Sequence, residues 1–490
     1  MTQRSLTTFC LAVVALLLGC KSPSQPDSGA KAQASGDAPA AAETIRVAIG
    51  TQDTTINCAT GGPIVRELKL LEKFLPKEGR YKAVTYDIKW ENQPTGAQLN
   101  SKYLANQLDI VQMADFPSVL GATALKAAGD KVQSLYIATL SAGINGAGNA
   151  ILVPANSKVQ SLSELKGKKL SVPFGSTAHA MLIRALQDLG WDPTKDVEIV
   201  TQTPEVGGSA LKANQIDAHA NFVPFGELFP FRGFAKKIYD GSSTGVTTTH
   251  GVQVRSDYAE KHPEIVVAFL KATLEADRLF REDPEGLSEK LAQWTGVDAE
   301  VYYAFHGPQG IQSRDYTLKP EHRKAIEKAQ ESLKVLKKVT KEIDVGSYVT
   351  DKFIRQAAKE FGYDYDARLK DYAALPFSGN AQDTQQPIKE PNLAGQIWVK
   401  GEPKVRLYSS PEATFAALAK LQQEGKTVRV TFVHDRETGN KLFADKVWYV
   451  RGPSGLSAFL LKKSAETWAT KNGGQVIGYD AARKAPGQAS

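Results

Sequence analysis

The chain has 490 residues, which is too long for one small hydrophobic core and predicts two or three domains. Hydrophobic residues make up 42% and charged residues 23%, a composition that excludes a wholly disordered or fibrous protein. The formal net charge of +7 comes mostly from Lys residues interspersed with Glu, so it indicates a solvated surface. We therefore expect no nucleic acid among the partners.

The N-terminus has the pattern of an export signal followed by an acylation site. Arg4 precedes an apolar run that ends at Leu18 and is too short to remain in a bilayer as a spanning helix. The sequence Leu17-Leu18-Gly19-Cys20 resembles the lipobox of bacterial lipoproteins, in which the cysteine is acylated after cleavage. We expect a signal peptide over 1–19 and a flexible tether over 20–43, with the body on the periplasmic side of a membrane. A cleaved signal without lipid or an N-terminal anchor helix is the alternative.

From Thr44 the chain alternates between strand-like and helix-like segments, which is typical of an open, mostly parallel sheet covered by helices. The pattern restarts after Gly148, so one α/β unit is expected to be inserted into another. Within the first unit, apolar residues at helical spacing predict one helix over 63–75. The expected domains are a first lobe over 44–149 and 246–372, a second lobe over 150–245, a linker over 373–394, a small α+β domain over 395–482 and a disordered tail over 483–490.

Several segments resemble the nitrate/sulfonate/taurine family of periplasmic solute-binding proteins of ABC importers. The resemblance spans about 44–370 and is carried, in order, by Ser161 to Pro173, Gly175 to His179, Ala210-Leu211, Gln215 to Ala218, and His262-Pro263-Glu264. It implies a type II periplasmic-binding-protein fold, in which two α/β lobes joined by two crossovers close on a solute. It also implies that the solute passes to a membrane permease and its ATPase. A sulfonate, a taurine-like compound or another oxyanion is the first expectation.

The expected ligand-binding residues lie in loops beyond the carboxyl ends of the strands, because ligands of open parallel sheets bind there. Ser176 and Thr177 open a helix whose free N–H groups and positive dipole end suit an anion. The alternative is that Ser176 only caps its own helix. Further residues expected in the cleft are Gln52, Thr54, Thr55, Gln93, His219 and His250.

Two acidic residues, Asp53 and Asp115, occupy the same loops and would suit an amino group such as that of taurine. A loop-capping role is the alternative for each of them. The aromatic residues between Phe222 and Phe234 are expected mainly in the core of the second lobe, with one of them lining the cleft.

A different interpretation starts from residues with soft or imidazole side chains, which are the ligands that copper prefers. All of them fall in or beside segments assigned to the cleft, and the alternative for the methionines is core packing. This copper-handling hypothesis rests on Cys58, Met113, Met181, His179, His219 and His250.

The segment 395–482 resembles NosL-like proteins, the copper-chaperone-like accessory lipoproteins of nitrous oxide reductase. The resemblance is carried by His434 to Gly439, Lys446 to Val450, Gly452 to Gly455 and Asn472 to Val476. The chain has no Cys or Met after Met181, and one histidine, His434, does not hold a metal. We therefore expect no resident metal or other cofactor and consider a partner-docking role for this domain.

Enzyme motifs are poorly represented. The sequence Gly241-Ser242-Ser243-Thr244-Gly245 has the letters of a nucleophile elbow, but no apolar helix follows it. Neither a Walker loop nor a His-Glu-x-x-His motif is present. A non-enzymatic binding protein is therefore predicted.

Overall fold

The structure is a computed structural model that describes residues 43–129, 131–370 and 375–484. The expected signal peptide, lipid anchor at Cys20 and tether up to Ala42 lie outside the described residues. Across the described ranges, no helix has the length and apolarity needed to cross a membrane.

The strands of the described residues are β1 Thr44–Thr51, β2 Thr85–Asn92, β3 Ile110–Ala114, β4 Ser134–Gly143, β5 Ala150–Pro154, β6 Lys169–Val172, β7 Glu198–Thr201, β8 Ala218–Asn221, β9 Ala235–Asp240, β10 Thr248–Arg255, β11 Gly395–Val399, β12 Arg406–Tyr408, β13 Val428–His434, β14 Lys441–Phe443, β15 Trp448–Gly452, β16 Gly455–Phe459 and β17 Gln475–Ile477. The α-helices are α1 Pro63–Glu67, α2 Leu70–Phe74, α3 Gly96–Leu104, α4 Asp115–Ala128, α5 Thr177–Asp188, α6 Pro204–Lys212, α7 Phe225–Phe231, α8 Ser256–Lys261, α9 Pro263–Glu282, α10 Pro284–Thr295, α11 Ala299–His306, α12 Pro320–Val335, α13 Val345–Tyr348, α14 Lys352–Phe361, α15 Tyr365–Lys370, α16 Pro411–Gln423, α17 Lys462–Asn472 and α18 Tyr479–Ala482.

Two five-stranded sheets form two α/β lobes. Lobe 1 has the strand order β2-β1-β3-β10-β4, and lobe 2 has the order β7-β6-β8-β5-β9. In each sheet four strands point in the same direction and one is antiparallel to its neighbours: β10 to β3 and β4 in lobe 1, and β5 to β8 and β9 in lobe 2. The chain crosses from lobe 1 to lobe 2 after β4 and returns before β10. The predicted fold class, a two-lobed α/β protein with a small C-terminal α+β domain, is confirmed.

The prediction of one helix over 63–75 is wrong. The segment forms α1 and α2, with Lys69 between them in the left-handed region at φ 51°. In an uninterrupted helix with 3.6 residues per turn, Leu70 would point about 120° away from Ile64. The break allows both side chains to reach the core, where each is fully buried.

Two small sheets and three helices form the C-terminal domain. The strand orders are β12-β11-β13-β14 and β16-β15-β17. The preceding segment 375–394 lies against this domain, because the Gln382 amide donates to the Leu407 carbonyl (2.8 Å) and the Asp383 carboxylate accepts the Ser409 amide (3.0 Å).

The C-terminal domain packs on lobe 1 through α10 and α11. The Arg429 guanidinium pairs with Glu300 at 2.8 Å, and the Tyr303 ring packs against Trp398 at a centroid distance of 5.3 Å. The domain also touches lobe 2, where the rings of Phe231 and Phe443 lie 5.1 Å apart. The domain therefore contacts both lobes of the α/β body.

Candidate ligand-binding cleft

A small cavity lies between the two sheets, where the loops after β1, β3 and β8 meet the starts of α5 and β10. Its volume is about 30 Å³, which is small compared with pockets that enclose drug-sized molecules. The sixteen lining residues, all within the described ranges, include no Asp, Glu, Lys or Arg. They are Gln52, Thr55, Asn57, Gly96, Ala114, Pro117, Ser141, Asn149, Ser176, Thr177, Phe222, Val223, Thr248, Thr249, His250 and Gln312. We call this cavity the cleft.

Five of the residues predicted from the sequence line the cleft: Gln52, Thr55, Ser176, Thr177 and His250. They come from both lobes, and more than one hundred residues of sequence separate the first two from the rest. The carboxyl end of β1 and the N-terminus of α5 thus face the same small space.

The N-terminus of α5 supplies the donors from lobe 2. The Ser176 hydroxyl donates to the Pro173 carbonyl at 2.6 Å and accepts the His179 amide at 3.3 Å, so this side chain caps its own helix as well as lining the cleft. The Thr177 hydroxyl donates to Asn149 Oδ1 at 3.0 Å. The first N–H groups of a helix have no acceptor within it, and the positive end of the dipole lies at the same place.

His250 lines the cleft beside Thr248 and Thr249, which also belong to β10, and it is 3% exposed. Its Nε2 lies 3.6 Å from the Cys58 sulfur, while its Nδ1 is buried without a hydrogen-bond partner. Burial lowers the pKa of His250 to about 3, so the ring is neutral at physiological pH. Burial raises the pKa of the Cys58 thiol to about 12, and nearby hydrogen bonds oppose this rise.

Neither predicted acidic residue lines the cleft. Asp53 forms an ion pair with Arg66 at 2.9 Å. Asp115 begins α4, where its carboxylate accepts the amides of Phe116 and Thr249, both at 2.7 Å. Burial raises the pKa of Asp115 to about 7 against the opposing effect of these hydrogen bonds. Both carboxylates therefore have protein partners, Arg66 for Asp53 and two backbone amides for Asp115.

The remaining predicted residues also lie outside the cleft lining. Gln93 donates from its side chain to Glu91 at 2.6 Å, and Thr54 is half-buried in the loop after β1. Met113 is buried in a cluster of apolar side chains between β3 and α3, because its position on the pleat points it to the core. His219 is fully buried inside lobe 2, where its Nδ1 lies 2.7 Å from the Ser171 hydroxyl.

Several lining residues were not predicted. Thr248 and Thr249 directly precede His250 on the return from lobe 2, and Asn149 directly precedes the first strand of lobe 2, so these lining residues lie where the chain crosses between the lobes. Gln312 has no such signal, because it lies in an irregular segment after α11 that reaches the cleft only through the tertiary fold. Its buried Oε1 has no hydrogen-bond partner.

The soft side chains are not brought together at one place in the described residues. Cys58 and His250 are in contact, but His179 stacks on the exposed Phe174 ring at 4.6 Å and Met181 packs in the core of lobe 2. Over the part of the chain that the structure describes, no group of three or more His, Cys, Asp or Glu residues could hold a metal ion. In the C-terminal domain, His434 is buried and its Nδ1 lies 2.9 Å from the Ala394 carbonyl oxygen.

A larger cavity of about 390 Å³ lies between lobe 2 and the C-terminal domain. Most of the charged side chains that line it have protein partners, as in the ion pairs of Lys237 with Glu227 and of Lys446 with Asp445. None of its lining residues also lines the cleft. The cleft therefore remains the candidate site.

Comparison with known proteins gives a consistent result for the two lobes. The NMT1-like family model matches residues 75–296. A protein of Bacillus subtilis (strain 168) named for aliphatic sulfonate binding is 28% identical over 301 residues, which cover 61% of this chain and 84% of the relative. The taurine-binding periplasmic protein of Escherichia coli (strain K12) is 29% identical over 222 residues, which cover 42% of this chain and 68% of the relative.

The alkanesulfonate-binding protein SsuA from Xanthomonas axonopodis pv. citri, solved with bound MOPS, is similar in structure. The TM-score is 0.51 at 23% identity, and the match covers 63% of this chain and 99% of SsuA. The match to almost all of SsuA leaves the C-terminal domain as an addition. The two lobes therefore have the fold of periplasmic binding proteins, and their sequence is similar to those of sulfonate- and taurine-binding relatives.

Proposed function

We propose that the chain is the solute-binding component of an ABC importer and captures a small sulfonate or related oxyanion in the cleft. The observation that carries this proposal is a cavity at the N-terminus of α5 lined by hydroxyl, amide and imidazole groups without a charged side chain. Backbone N–H groups and neutral donors can hold an anion without a counterion, since the helix dipole adds a favourable field. The relatives named for sulfonate and taurine binding support the same ligand class.

Within this class, we propose that the cleft prefers an alkanesulfonate to taurine. The amino group of taurine is positively charged, and burying it without a carboxylate partner is costly. Asp53 is paired with Arg66, Asp115 accepts two backbone amides, and neither residue lines the cleft.

The test is a calorimetric titration of the protein with ethanesulfonate, taurine, sulfate, nitrate and Cu²⁺. Ethanesulfonate is expected to bind more tightly than taurine. Thr177→Val removes the hydroxyl that donates to Asn149 Oδ1 in the cleft wall and is expected to weaken binding by about three- to tenfold, the cost of one neutral hydrogen bond that positions the lining. The matched control Thr340→Val changes an exposed threonine outside the cleft and is expected to leave affinity unchanged. Binding of Cu²⁺ alone would refute the oxyanion proposal in favour of copper handling.

We also propose that Cys20 carries the lipid that holds the receptor on the periplasmic side of a membrane, near its permease and ATPase. The sequence Leu17-Leu18-Gly19-Cys20 supports this proposal. Cys20→Ala is expected to release the protein from the membrane fraction, and intact mass measurement of the wild type is expected to show fatty acyl groups. A membrane-bound, unacylated protein would contradict it.

For residues 395–482 we propose a NosL-like domain that has lost its metal site. The support is the set of sequence segments from His434 to Val476, together with the burial of His434 against the Ala394 carbonyl. Equilibrium dialysis of the full chain against Cu⁺ tests it. Stoichiometric Cu⁺ binding that His434→Gln abolishes would show that the site is retained.

A further inference from the structure

Cys58 and His250 form a buried pair at the cleft, which His250 lines and Cys58 does not. Cys58 ends a short 3-10 helix over Ile56–Cys58 after β1, and His250 lies on β10, 192 residues further along the chain. The Cys58 sulfur is 3.6 Å from His250 Nε2, and both side chains are almost completely shielded from solvent. The pair therefore joins the loop after β1 to the strand that returns from lobe 2.

The position of one proton decides what His250 presents to a ligand. A neutral imidazole has one N–H donor and one acceptor nitrogen, and the partner of one nitrogen determines the role of the other. If the thiol donates to Nε2, then Nδ1 carries the hydrogen and is a donor. If Nε2 donates to the sulfur, then Nδ1 presents a lone pair, which would repel an oxyanion.

The surrounding hydrogen bonds favour donation by the thiol. The Thr55 hydroxyl donates to the Gln52 carbonyl at 2.8 Å, so its single proton is not available to the sulfur, which lies 3.8 Å away. The thiol keeps its proton, because burial raises its pKa to about 12. The imidazole nitrogen is a stronger base than the Thr55 oxygen, so it is the better acceptor for that proton.

The other ring nitrogen, Nδ1, lacks a hydrogen-bond partner in the protein. His250 Nδ1 is buried and has no hydrogen-bond partner, although His250 lines the cleft. A buried polar nitrogen without a partner costs free energy that a ligand oxygen would recover.

We propose that Cys58 is a positioning residue that fixes the neutral tautomer of His250, so that Nδ1–H donates to an oxygen of the bound anion. The choice of an anion as the ligand rests on the function proposed above, whereas the tautomer is a property of the free protein. The pair supplies a donor without supplying a positive charge. Such a donor favours an oxyanion over a cation or a zwitterion whose ammonium group would approach the ring.

The tautomer is measured on the ligand-free full-length protein by nitrogen NMR with ¹⁵N-labelled histidine, which distinguishes a protonated from an unprotonated ring nitrogen. His250→Gln identifies the His250 signals. The expected result is a protonated Nδ1 in the wild type. Cys58→Ala is expected to shift the signals towards the Nε2-protonated form, and Cys58→Ser, which keeps a donor, to restore them. A wild type protonated on Nε2 would overturn the proposal. So would a Cys58→Ala protein whose His250 signals are the same as those of the wild type.

Titration with ethanesulfonate provides the functional readout. Cys58→Ala is expected to raise the Kd for ethanesulfonate by about three- to tenfold, which corresponds to the loss of one neutral hydrogen bond. Cys58→Ser is expected to recover most of the affinity. A wild type that binds no oxyanion but has the expected tautomer would refute the proposed function and leave this inference standing. Tight binding that Cys58→Ala does not weaken would overturn the inference and leave the proposed function standing.

Discussion

Replacement of Asp115 by asparagine tests how the structure beside the cleft handles a buried carboxyl group. Asp115 is 4% exposed, and burial raises its pKa from 3.8 to about 7, although it accepts the amides of Phe116 and Thr249. Between these two pH values the unfolded chain has released the proton, whereas the folded protein still holds it. The folded state therefore binds more protons, and the free energy of unfolding falls as the pH rises.

The size of the effect follows from the shift. Each pH unit between about 4 and 7 removes about 1.4 kcal/mol, so the full penalty above pH 7 is about 4 kcal/mol. The asparagine side chain does not titrate. Its one carbonyl oxygen can accept only one of the two amides, which bind different oxygens of Asp115, so the substitution also has a cost that does not change with pH. The stability of Asp115→Asn relative to the wild type is expected to increase by about 4 kcal/mol between pH 4 and pH 8.

The assay is urea unfolding of both proteins at pH 4, 5, 6, 7 and 8, followed by tryptophan fluorescence. Only the difference between the two proteins is used, because other groups titrate over the same range and cancel in it. A difference that does not change with pH would refute the claim that Asp115 keeps its proton in the folded protein up to about pH 7. A difference that decreases with rising pH would show that the hydrogen bonds from Phe116 and Thr249 outweigh burial.

Two further substitutions test packing away from the cleft. Lys441→Met is expected to raise the melting temperature at pH 7 by several degrees and to have less effect near pH 10. Burial lowers the pKa of Lys441, whose ammonium lies close to the Tyr303 carbonyl (3.3 Å) and ring. At pH 7 the unfolded chain carries this charge freely, whereas the folded protein must bury it, so the lysine lowers the free energy of unfolding. An unchanged or lower melting temperature would contradict this reasoning. Gly207→Ala is expected to destabilise the protein by about 1–3 kcal/mol in urea unfolding, because its Cβ would lie 2.1 Å from His219 Cε1 inside lobe 2, and a neutral result would show that the His219 ring can move.

The architecture of the two lobes could be predicted from the amino-acid sequence alone. The alternation of apolar strands and amphipathic helices, which restarts after Gly148, was sufficient to predict two α/β lobes, because these patterns reflect which faces must be buried. Local rules also worked where a helix begins in the cleft, since Ser176 caps α5 and Thr177 starts it.

Some of the predicted cleft residues line the cleft and others do not, because local sequence does not decide where every side chain points. Gln52, Thr55 and His250 line the cleft, whereas Met113 and His219, from equally suitable segments, are buried in the lobes. Whether the side chains of Gln52, Thr55 and His250 point into the cleft depends on how β1 and β10 pair with their neighbouring strands. A shift of one residue along a strand reverses that direction.

What each polar group in the cleft region is free to do depends on the tertiary fold. Asp53 lies in the expected loop and Asp115 begins α4, but Arg66 and two backbone amides bind their carboxylates. Cys58 and His250 are distant in sequence, and their contact arises only when β10 returns from lobe 2 to pair between β3 and β4. Residue types show which chemistry is available, whereas the partners that remain for a ligand depend on contacts across the whole fold.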